Sequence, residues 1–440
     1  MLSRHDNQYV AEAGPGTPVG NLFRRFWLPV MVPEELPEAD CPPIRLKLLN
    51  EPLVAFRDSS GRVGIVAEAC PHRGASLFFG RNEEDGLRCV YHGWKFDVAG
   101  QCADMPNEPA ESNFKHKIHV RSYPTQEWGG VIWVYMGPEG TSAELPQFEW
   151  ARVPADQRCA GKYIVPANYL QVIEGSVDSA HLGFLHTWLD LTTDTAGRAR
   201  EATTARVDKT PRFSTSDTEF GVTIAARRDA ADDSYYWRLT QMMLPAWSMI
   251  PATPGGNLSI VGTIPIDDHT CLCWKIIWSV ADPFTPEQIA QAWNGSDWSG
   301  SRSGGGPGSV RPIGISYPLL EPGTFRPKAN AANDYLIDRS MQKTKTFTGI
   351  PGVSEQDLAV QESMGLICDR TREHLGASDL GVIATRRRII TAARALEAGV
   401  APYAASHGEV FHVRSVAQTL KRDESYEEAA AVKEGMVAAF

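Results

Sequence analysis

Two short cysteine–histidine motifs are the residues of this chain best suited to chemistry. Residues 70–72 read Cys-Pro-His and residues 89–92 read Cys-Val-Tyr-His, so each motif supplies one thiol and one imidazole. In a [2Fe–2S] cluster of the Rieske type, histidines replace cysteines on one of the two irons and raise the reduction potential. Cys70, His72, Cys89 and His92 are therefore predicted to hold such a cluster, and the chain is predicted to transfer electrons.

A structural zinc ion is the main alternative, because two cysteines and two histidines also form a closed tetrahedral zinc site. Zinc fingers, however, draw both cysteines from one loop and both histidines from another. Here each loop supplies one of each, which favours the cluster. Gly74 and Gly93 follow the two motifs, and only glycine reaches positive φ at no steric cost. The backbone is therefore predicted to approach the cluster there and to donate N–H groups to its sulfurs.

A second group of candidate ligands lies at residues 178–186, which read DSAHLGFLH. His181 and His186 are too far apart in sequence for one straight helix to present both on the same face. A bend or a helix end at Gly183 is predicted to bring them together. Two imidazoles and one carboxylate that leave positions open are the ligand set of non-haem Fe(II) oxygenases. Without the cysteine–histidine motifs, ordinary core or surface histidines would be the better interpretation.

Longer stretches around these motifs resemble a known family. The two loops read CPHRGASL and CVYHGWKFD, and flanking segments read RRFWLPV and EWGGVIWVYMGP. They are similar to the Rieske domain of ring-hydroxylating non-haem iron oxygenases, most of all to the phthalate-dioxygenase-like oxygenase components. The resemblance runs over nearly the whole chain, and D-x-x-H-x-x-x-x-H matches the iron motif of that family. It implies two cofactors, a [2Fe–2S] Rieske cluster and a mononuclear non-haem Fe(II).

The resemblance also implies roles for residues around the second motif. His181 and His186 are expected to bind the iron. Asp178 is expected to connect a Rieske histidine of one subunit to the iron-bound histidine of its neighbour. Because that bridge requires an oligomer, a homotrimer or a hexamer of two trimers is expected. Asn168 is expected to support catalysis close to the iron, and a helix cap is the alternative role for its side chain.

The third iron ligand must come from further along the chain. The aspartate candidates are Asp334, Asp338 and Asp357. In the family pattern, a glycine-containing loop precedes an aspartate at the opening of a helix, and Asp357 fits this pattern. Asp357 is therefore predicted to bind the iron, with Glu355 and Glu362 as its nearest rivals. Asp338 is instead predicted to pair with the adjacent Arg339.

The reaction implied by the resemblance is O₂ activation with electrons imported from outside the chain. The sequence has no G-x-G-x-x-G in a βαβ setting and no flavin-like segment, so a separate NAD(P)H-dependent flavin and iron–sulfur reductase is the expected partner. The chain would then be a terminal oxygenase component that hydroxylates a phthalate- or benzoate-like aromatic carboxylate. O-demethylation of a methoxylated aromatic acid is the alternative. Arg206 and Arg238 are candidates to pair with the substrate carboxylate, and exposed strand positions are the alternative for both.

Composition and charge argue against other classes of protein. The 440 residues include 43 basic and 53 acidic ones, and the resulting net charge of −10 argues against binding to nucleic-acid phosphates. The sequence lacks a long uninterrupted apolar stretch and a leader-like start, so a cytoplasmic protein without a membrane segment is expected. The other cysteines lack the spacing of a disulfide framework and are predicted to be buried thiols. The length and the second ligand set disfavour a simple electron carrier.

The elements that must position these residues predict an α+β protein. Residues 1–43 are predicted to pack on the catalytic domain, with a short helix at 21–27. Residues 44–150, rich in short alternating strands, are predicted to form an all-β Rieske domain. Residues 151–440 are predicted to form the catalytic domain, in which helices surround an antiparallel sheet.

Three further expectations concern the catalytic domain. A helical stretch is predicted at 168–186, and most of the segment 334–440 is predicted to be helical. The glycine- and serine-rich residues 294–309 are predicted to form a surface loop. The three arginines at 386–388 are predicted to lie on a solvated helix face.

Overall fold

The computed structural model describes residues 1–109, 111–187, 189, 208–251, 256–293 and 317–439. The predicted loop at 294–309 and the candidate Arg206 lie outside these ranges. Among the described helices, none has both the length and the apolar character needed to cross a bilayer.

Short antiparallel strands build the region that carries the cysteine–histidine loops. Their bounds are β1 Trp27–Met31, β2 Ile44–Leu48, β3 Glu51–Arg57, β4 Val63–Ala67, β5 Arg81–Glu83, β6 Gly86–Arg88, β7 Lys95–Phe96, β8 Cys102–Asp104, β9 Ser122–Tyr123, β10 Thr125–Trp128 and β11 Val131–Tyr135. They form three sheets with the orders β1–β11–β10, β2–β3–β4–β9 and β5–β6–β7–β8. The predicted all-β character of this region is confirmed.

Strand β3 shows how this region is stabilised on two sides. Successive side chains of a strand point to opposite faces. Val54 and Phe56 therefore join a small apolar core beneath the cysteine–histidine loops, while Leu53 and Ala55 join the main core. All four side chains are buried, which matches the predominantly apolar sequence of the strand.

A large antiparallel sheet forms the centre of the remaining chain. Its strands are β12 Arg158–Val165, β13 Arg212–Asp217, β14 Gly221–Ala230, β15 Ser234–Met243, β16 Trp247–Ile250, β17 Leu258–Asp267, β18 Thr270–Trp278 and β19 Val416–Lys421. The order is β12–β18–β17–β16–β15–β14–β13, and β19 pairs with β15. Nearly every residue of β18 is buried, so both faces of the sheet are covered there. The predicted antiparallel catalytic sheet is thus confirmed, although β19 lies in a segment predicted to be mostly helical.

Helices pack around this sheet. The described helices are α1 Arg4–Ala11, α2 Pro18–Phe23, α3 Tyr169–Val177, α4 Pro286–Trp293, α5 Arg339–Thr344, α6 Val353–Ser363, α7 Leu380–Glu397 and α8 Ala430–Met436. The N-terminal helices α1 and α2 contact α7, and α1 also contacts α3. The helix predicted at 21–27 ends instead at Phe23, because Trp27 begins strand β1 and pairs with Tyr135 of β11.

A buried network of charges joins α3 to α7. The carboxylate of Glu174 accepts hydrogen bonds from Arg370 at 2.9 and 3.0 Å and from Arg386 at 2.5 Å. Arg386 also pairs with Glu373. The prediction of a solvated face is therefore wrong for Arg386, because the side of α7 that meets α3 faces a buried carboxylate. It holds for Arg387, which is exposed. Removing one partner of such a buried network typically costs about 3 to 5 kcal/mol.

Candidate metal centres and active-site cavity

The two cysteine–histidine loops share one backbone pattern. The Cys70 N–H donates to the carbonyl of Ala75 at 2.8 Å, and the Cys70 carbonyl accepts from the Gly74 N–H at 2.8 Å. The second loop repeats this pattern around Cys89, whose carbonyl accepts from the Gly93 N–H at 2.9 Å. Both glycines have positive φ, 75° and 80°. The predicted positive φ is thus present at both glycines, where it closes each turn on its own cysteine.

The side chains of the two loops converge. Cys70 and Cys89 are both buried, and burial beside the second thiol raises the pKa of Cys70 to about 11. The ring centres of His72 and His92 lie 4.4 Å apart, and both rings are only partly buried. Nδ1 of His92 is buried and has no hydrogen-bond partner among the described residues. Two thiols and two imidazoles with an unused nitrogen fit a [2Fe–2S] cluster with mixed ligands.

The second site is built where α3 ends. The helix stops at Val177, and a single 3₁₀ turn spans His181–Gly183, so the bend predicted near Gly183 is present. Nε2 of His181 lies 3.1 Å from Nε2 of His186. The Asp357 carboxylate, from α6, lies 3.3 Å from Nε2 of His186 and 4.0 Å from Nε2 of His181. The structure therefore brings the three predicted ligands to one point.

The arrangement of these three side chains suits a bound cation better than it suits hydrogen bonds among the three. Nδ1 of His181 lies 3.4 Å from the Asp178 carboxylate, which favours a proton on Nδ1 and a lone pair on Nε2. That lone pair points at a second imidazole nitrogen and a carboxylate oxygen. Burial opposes ionisation of Asp357, yet the His186 and His181 imidazoles hold the pKa of its carboxyl below the usual range. Neutral imidazoles and one carboxylate are suitable ligands for Fe(II).

Asp178 occupies the turn between α3 and the histidines. Its carboxylate accepts from the Ala180 N–H at 2.6 Å and faces His181. Burial favours the neutral acid, but the hydrogen bonds from His181 and from backbone N–H groups lower the pKa of Asp178. The side chain is only partly buried, so a charged carboxylate sits at the edge of the site.

The rival acids are engaged elsewhere. Glu355 accepts a backbone N–H at 3.2 Å and Glu362 accepts a tyrosine hydroxyl at 2.8 Å. Burial raises the pKa of both carboxyls. Asp334 is exposed, and Asp338 caps the N-terminus of α5 instead of pairing with Arg339 as predicted. Of the acids considered from the sequence, Asp357 is the one that lies against both histidines.

The structure does not bring Asn168 to the site. Its side chain is fully buried and caps α3 by accepting from the Leu170 N–H at 3.1 Å. Its amide donates to the carbonyls of Ala11 and Asp268 at 2.9 and 2.7 Å. With these hydrogen bonds made, the capping alternative describes Asn168 better than a role in catalysis.

A cavity of about 280 Å³ opens beside the histidines and Asp357, between α3, α6 and one face of the sheet. Its apolar lining includes Val172, Leu182, Ile250, Val261, Ile277 and Val353. Polar and charged side chains make up the rest of the lining, and a cavity that combines apolar walls with polar groups is typical of sites for small organic molecules. The volume and lining suit a compact ring-shaped molecule next to His181, His186 and Asp357, which are called the ligand triad below.

Basic side chains stand on the sheet side of this cavity. Arg238, on β15, lines it, and Nε of Arg238 is buried without a hydrogen-bond partner in the described part of the chain. One of its NH₂ groups donates a long hydrogen bond, 3.5 Å, to the Tyr236 hydroxyl. Arg228 donates to the Ser179 carbonyl and hydroxyl. Burial and the nearby Arg238 lower the pKa of Arg228 to about 10. Neither guanidinium forms an ion pair with a described carboxylate, and Arg238 is the one of the two that lines the cavity.

Sequence reasoning missed two residues of this site. Lys275 lies on β18, lines the cavity, is buried, and donates to the Ser354 hydroxyl at 2.5 Å. A lysine inside the apolar strand CLCWKIIW was a signal for it, because lysine is seldom fully buried. Gln356 contacts His186 at 2.7 Å. Only its position beside Asp357 could have drawn attention to it.

Comparison with known proteins places both halves of the chain. Residues 26–124 match the Rieske [2Fe-2S] domain family, and residues 134–304 and 310–434 match the family described as LigXa C-terminal domain like. The phthalate 4,5-dioxygenase oxygenase subunit of Pseudomonas putida is 38% identical over 407 residues, 91% of this chain and 88% of that protein. The 3-chlorobenzoate-3,4-dioxygenase oxygenase subunit of Comamonas testosteroni is 38% identical over 90% of each chain. The chain therefore belongs to the Rieske non-haem iron oxygenases, as a terminal oxygenase component.

More distant relatives agree with this assignment. The 5,5'-dehydrodivanillate O-demethylase oxygenase subunit of a Sphingobium species is 29% identical over the whole chain and 90% of that protein. Dicamba monooxygenase bound to dicamba has the same fold, with a TM-score of 0.55 at 17% identity over 86% of this chain and 99% of that one. The cofactors of this enzyme are thus a Rieske [2Fe–2S] cluster and a mononuclear non-haem iron.

Proposed function

We propose that this oxygenase component hydroxylates an aromatic carboxylate of the phthalate or benzoate type, with O₂ and with electrons from a separate reductase. The observation that carries the proposal is Arg238, which lines the cavity that also holds His181, His186 and Asp357 and whose buried Nε has no hydrogen-bond partner in the described structure. An anion would supply the missing acceptor for this nitrogen, and the planar fork of a guanidinium matches a carboxylate. Arg206, outside the described residues, is proposed as a second contact to the substrate.

Each part of the site then has a task. Cys70, His72, Cys89 and His92 hold the cluster, and the triad of His181, His186 and Asp357 holds the iron, which supplies O₂ activation when bound. Arg238 binds the substrate carboxylate and so fixes which ring carbons face the triad. The apolar walls exclude water and hold the ring in place, which keeps reacting atoms close together.

The second proposal for this site concerns the path of electrons. Asp178 connects His181 of one subunit to a Rieske histidine of the next, in a homotrimer or a hexamer of two trimers. In support, the Asp178 carboxylate already faces Nδ1 of His181 while part of it stays exposed. Around the cluster loops, Val90 is 58% and Tyr91 53% exposed. Exposed apolar side chains at an electron-transfer site fit burial against another subunit.

The electron donor is proposed to be a separate NAD(P)H-dependent flavin and iron–sulfur protein. The relatives named above are themselves called oxygenase subunits, which fits a division of labour between chains. The oxygenase of carbazole 1,9a-dioxygenase, which shares the fold with a TM-score of 0.53 at 17% identity over 91% of this chain and 98% of that one, has been solved as a complex with ferredoxin.

The substrate proposal is tested by binding and by product analysis. Arg238→Met should weaken benzoate and phthalate binding about 10- to 100-fold, because a hydrogen-bonded charge pair is typically worth about 1.5 to 3 kcal/mol. Arg238→Lys should recover part of the affinity, since it keeps the charge but loses the fork. Arg227→Met is the matched control, because Arg227 lies on β14, stacks on Tyr235 and does not line the cavity. Equal affinity of Arg238→Met and the unaltered protein for both acids would show that Arg238 does not bind the substrate carboxylate, and failure of the unaltered protein to bind or convert either acid would refute the substrate class.

O-demethylation of a methoxylated aromatic acid is the second candidate reaction. The observation that favours it is the relative named 5,5'-dehydrodivanillate O-demethylase oxygenase subunit, which aligns with the whole chain. The same iron site serves both reactions, so the shape of the pocket decides between them. A panel of benzoates, phthalates and methoxybenzoates, turned over with a generic reductase, separates the two. Ring diols support hydroxylation, and formaldehyde supports demethylation.

A further inference from the structure

Gln356 is a buried residue beside the candidate iron site. It is not one of the three predicted iron ligands, and it does not line the cavity. Its side chain is 1% exposed and follows Glu355 on α6. Oε1 lies 2.7 Å from Nδ1 of His186, and Nε2 donates to the Ile350 carbonyl at 2.9 Å. The oxygen and the NH₂ group of this amide are therefore each engaged by one specific partner.

The Ile350 carbonyl settles the orientation of this amide. A carbonyl oxygen can only accept, so the NH₂ end of Gln356 must face Ile350 and the oxygen must face His186. His186 must then donate from Nδ1, which in a neutral imidazole leaves the lone pair on Nε2. That nitrogen is the one that lies 3.1 Å from His181 and 3.3 Å from Asp357.

We infer that Gln356 is a positioning residue for the mononuclear metal, because it selects the His186 tautomer that offers Nε2 to the iron. The inference rests on the proposed function, in which His186 and Asp357 are iron ligands. Gln356 would do for His186 what Asp178 does for His181, with a neutral acceptor in place of a charged one. A hydrogen bond on the far nitrogen of a ligating histidine both orients the ring and makes it a better donor to the metal.

The backbone near His186 is held without Gln356. The Thr187 carbonyl accepts from the Phe347 N–H at 2.9 Å, and the Leu189 N–H donates to the Lys345 carbonyl at 2.8 Å. The rings of Phe184 and Phe347 also meet edge to face, 5.7 Å apart. Loss of the Gln356 acceptor is therefore expected to free the proton and the ring of His186 while the chain path stays in place.

The test compares two replacements of Gln356. Gln356→Met keeps the size and removes the strong acceptor. Gln356→Glu keeps an acceptor in either charge state, and its protonated form also donates to the Ile350 carbonyl. The matched control is Gln241→Met, because Gln241 is an equally buried amide that accepts from the Thr223 hydroxyl at 2.7 Å and lies outside the cavity.

The measurements are anaerobic Fe(II) affinity, by competition with a chromophoric chelator, and the visible spectrum of the Co(II)-substituted site. Gln356→Met should bind Fe(II) about 10- to 100-fold more weakly and shift the Co(II) spectrum. Gln356→Glu and Gln241→Met should stay close to the unaltered protein, and all three should keep the Rieske EPR signal. Unchanged affinity in Gln356→Met overturns the inference, as does equal weakening in Gln241→Met or in Gln356→Glu.

Failure of the inference is distinguishable from failure of the proposed function. If His186→Ala binds Fe(II) as tightly as the unaltered protein, the ligand assignment itself is wrong. If His186→Ala loses the iron while Gln356→Met keeps it, the ligands stand and only the role of Gln356 falls. No aromatic substrate enters either measurement, so the substrate proposal does not affect the result.

Discussion

The two metal regions of this oxygenase are assembled in different ways. The cysteine–histidine loops take all four candidate ligands from residues 70–92, and each loop closes its own turn through hydrogen bonds between near neighbours. The triad joins two histidines from the end of α3 to an aspartate of α6, and Gln356, which touches His186, lies 170 residues further along the chain. One centre is organised by local geometry, the other by the packing of distant elements.

Because of this difference, we expect different substitutions to disrupt the two centres. The loops sit on their own small core, which includes Val54, Phe56 and Trp94, so they depend little on the catalytic sheet. The triad depends on α3 and α6 keeping their places on the sheet. Lys275 on β18 contributes to this, because it donates to Ser354 in the first turn of α6. We expect changes at the loops to act on one cofactor, and changes in distant packing to act on the iron.

The largest effect is expected from Cys89→Ser. A hydroxyl is a far poorer ligand than a thiolate for iron–sulfur chemistry, so the variant should lose the cluster, its acid-labile sulfide and all turnover while it keeps mononuclear iron. Cys102→Ser is the matched control, because Cys102 is buried in the same small core but lies outside both motifs. EPR and sulfide analysis read out the result. A Rieske signal that survives in Cys89→Ser would show that the ligands are wrongly assigned.

Asp357→Ala and His186→Ala should affect only the other centre. Loss of one ligand of three should remove the mononuclear iron and reduce turnover below detection, while the Rieske spectrum stays unchanged. The measured iron content should fall from three to two irons per chain, the number expected for a [2Fe–2S] cluster alone. If Asp357→Ala remains fully active while Glu355→Ala or Glu362→Ala is inactive, the assignment of Asp357 as the third iron ligand is wrong.

Asp178→Asn tests whether the two centres communicate between subunits. The amide keeps the shape but loses the charge that favours the coupled imidazoles, so both metals should remain while turnover falls about 100-fold. Stopped-flow reduction followed by single turnover locates the slow step.

Mixed oligomers supply the complementary test of communication between subunits. If electrons cross between chains, a mixture of His186→Ala and Cys89→Ser chains should regain part of the activity that neither has alone. An active monomer in solution would end the bridging hypothesis.

The smallest effect concerns a scaffold residue that touches neither centre. Glu149 is buried and accepts from Arg414, the Trp278 indole and the Ala439 N–H. Burial opposes its ionisation, but these donors, Arg414 above all, lower the pKa of Glu149. A carboxyl with a lowered folded-state pKa contributes stability above its unfolded pKa, about 4.3, and loses that contribution as the pH falls through the folded value.

Glu149→Gln should therefore lower stability by about 2 kcal/mol at pH 7, as expected for loss of charge-assisted hydrogen bonds. In urea unfolding followed from pH 7 down to about pH 3, its stability should fall less steeply than that of the unaltered protein below about pH 4.3. Both metal spectra should be normal at pH 7. Parallel stability curves for the two proteins would remove Glu149 from the acid response.

Much of the local structure was predictable from short patterns. The glycines at 74 and 93 take the predicted positive φ, the all-β region and the antiparallel sheet are present, and the chain bends near Gly183. The errors fall where distant segments meet. Arg386 is buried because it donates a hydrogen bond to Glu174 on α3, and the Asn168 amide donates to the Ala11 carbonyl in the N-terminal segment. Neither partner is near in sequence, so no local pattern could show it.

The sequence by itself determined the kinds of ligand and their local spacing, and with them the class of enzyme. A C-x-H loop, a C-x-x-H loop and a bent histidine pair need only a few residues of chain to take shape, because turns and helix ends are decided by neighbouring residues. Tertiary structure decided which of the candidate acids lies against the histidines and which role Arg238 has, and it alone showed that Lys275 lines the cavity and that Gln356 meets His186. Those choices depend on how strands and helices pack, and packing brings together residues that the sequence keeps far apart.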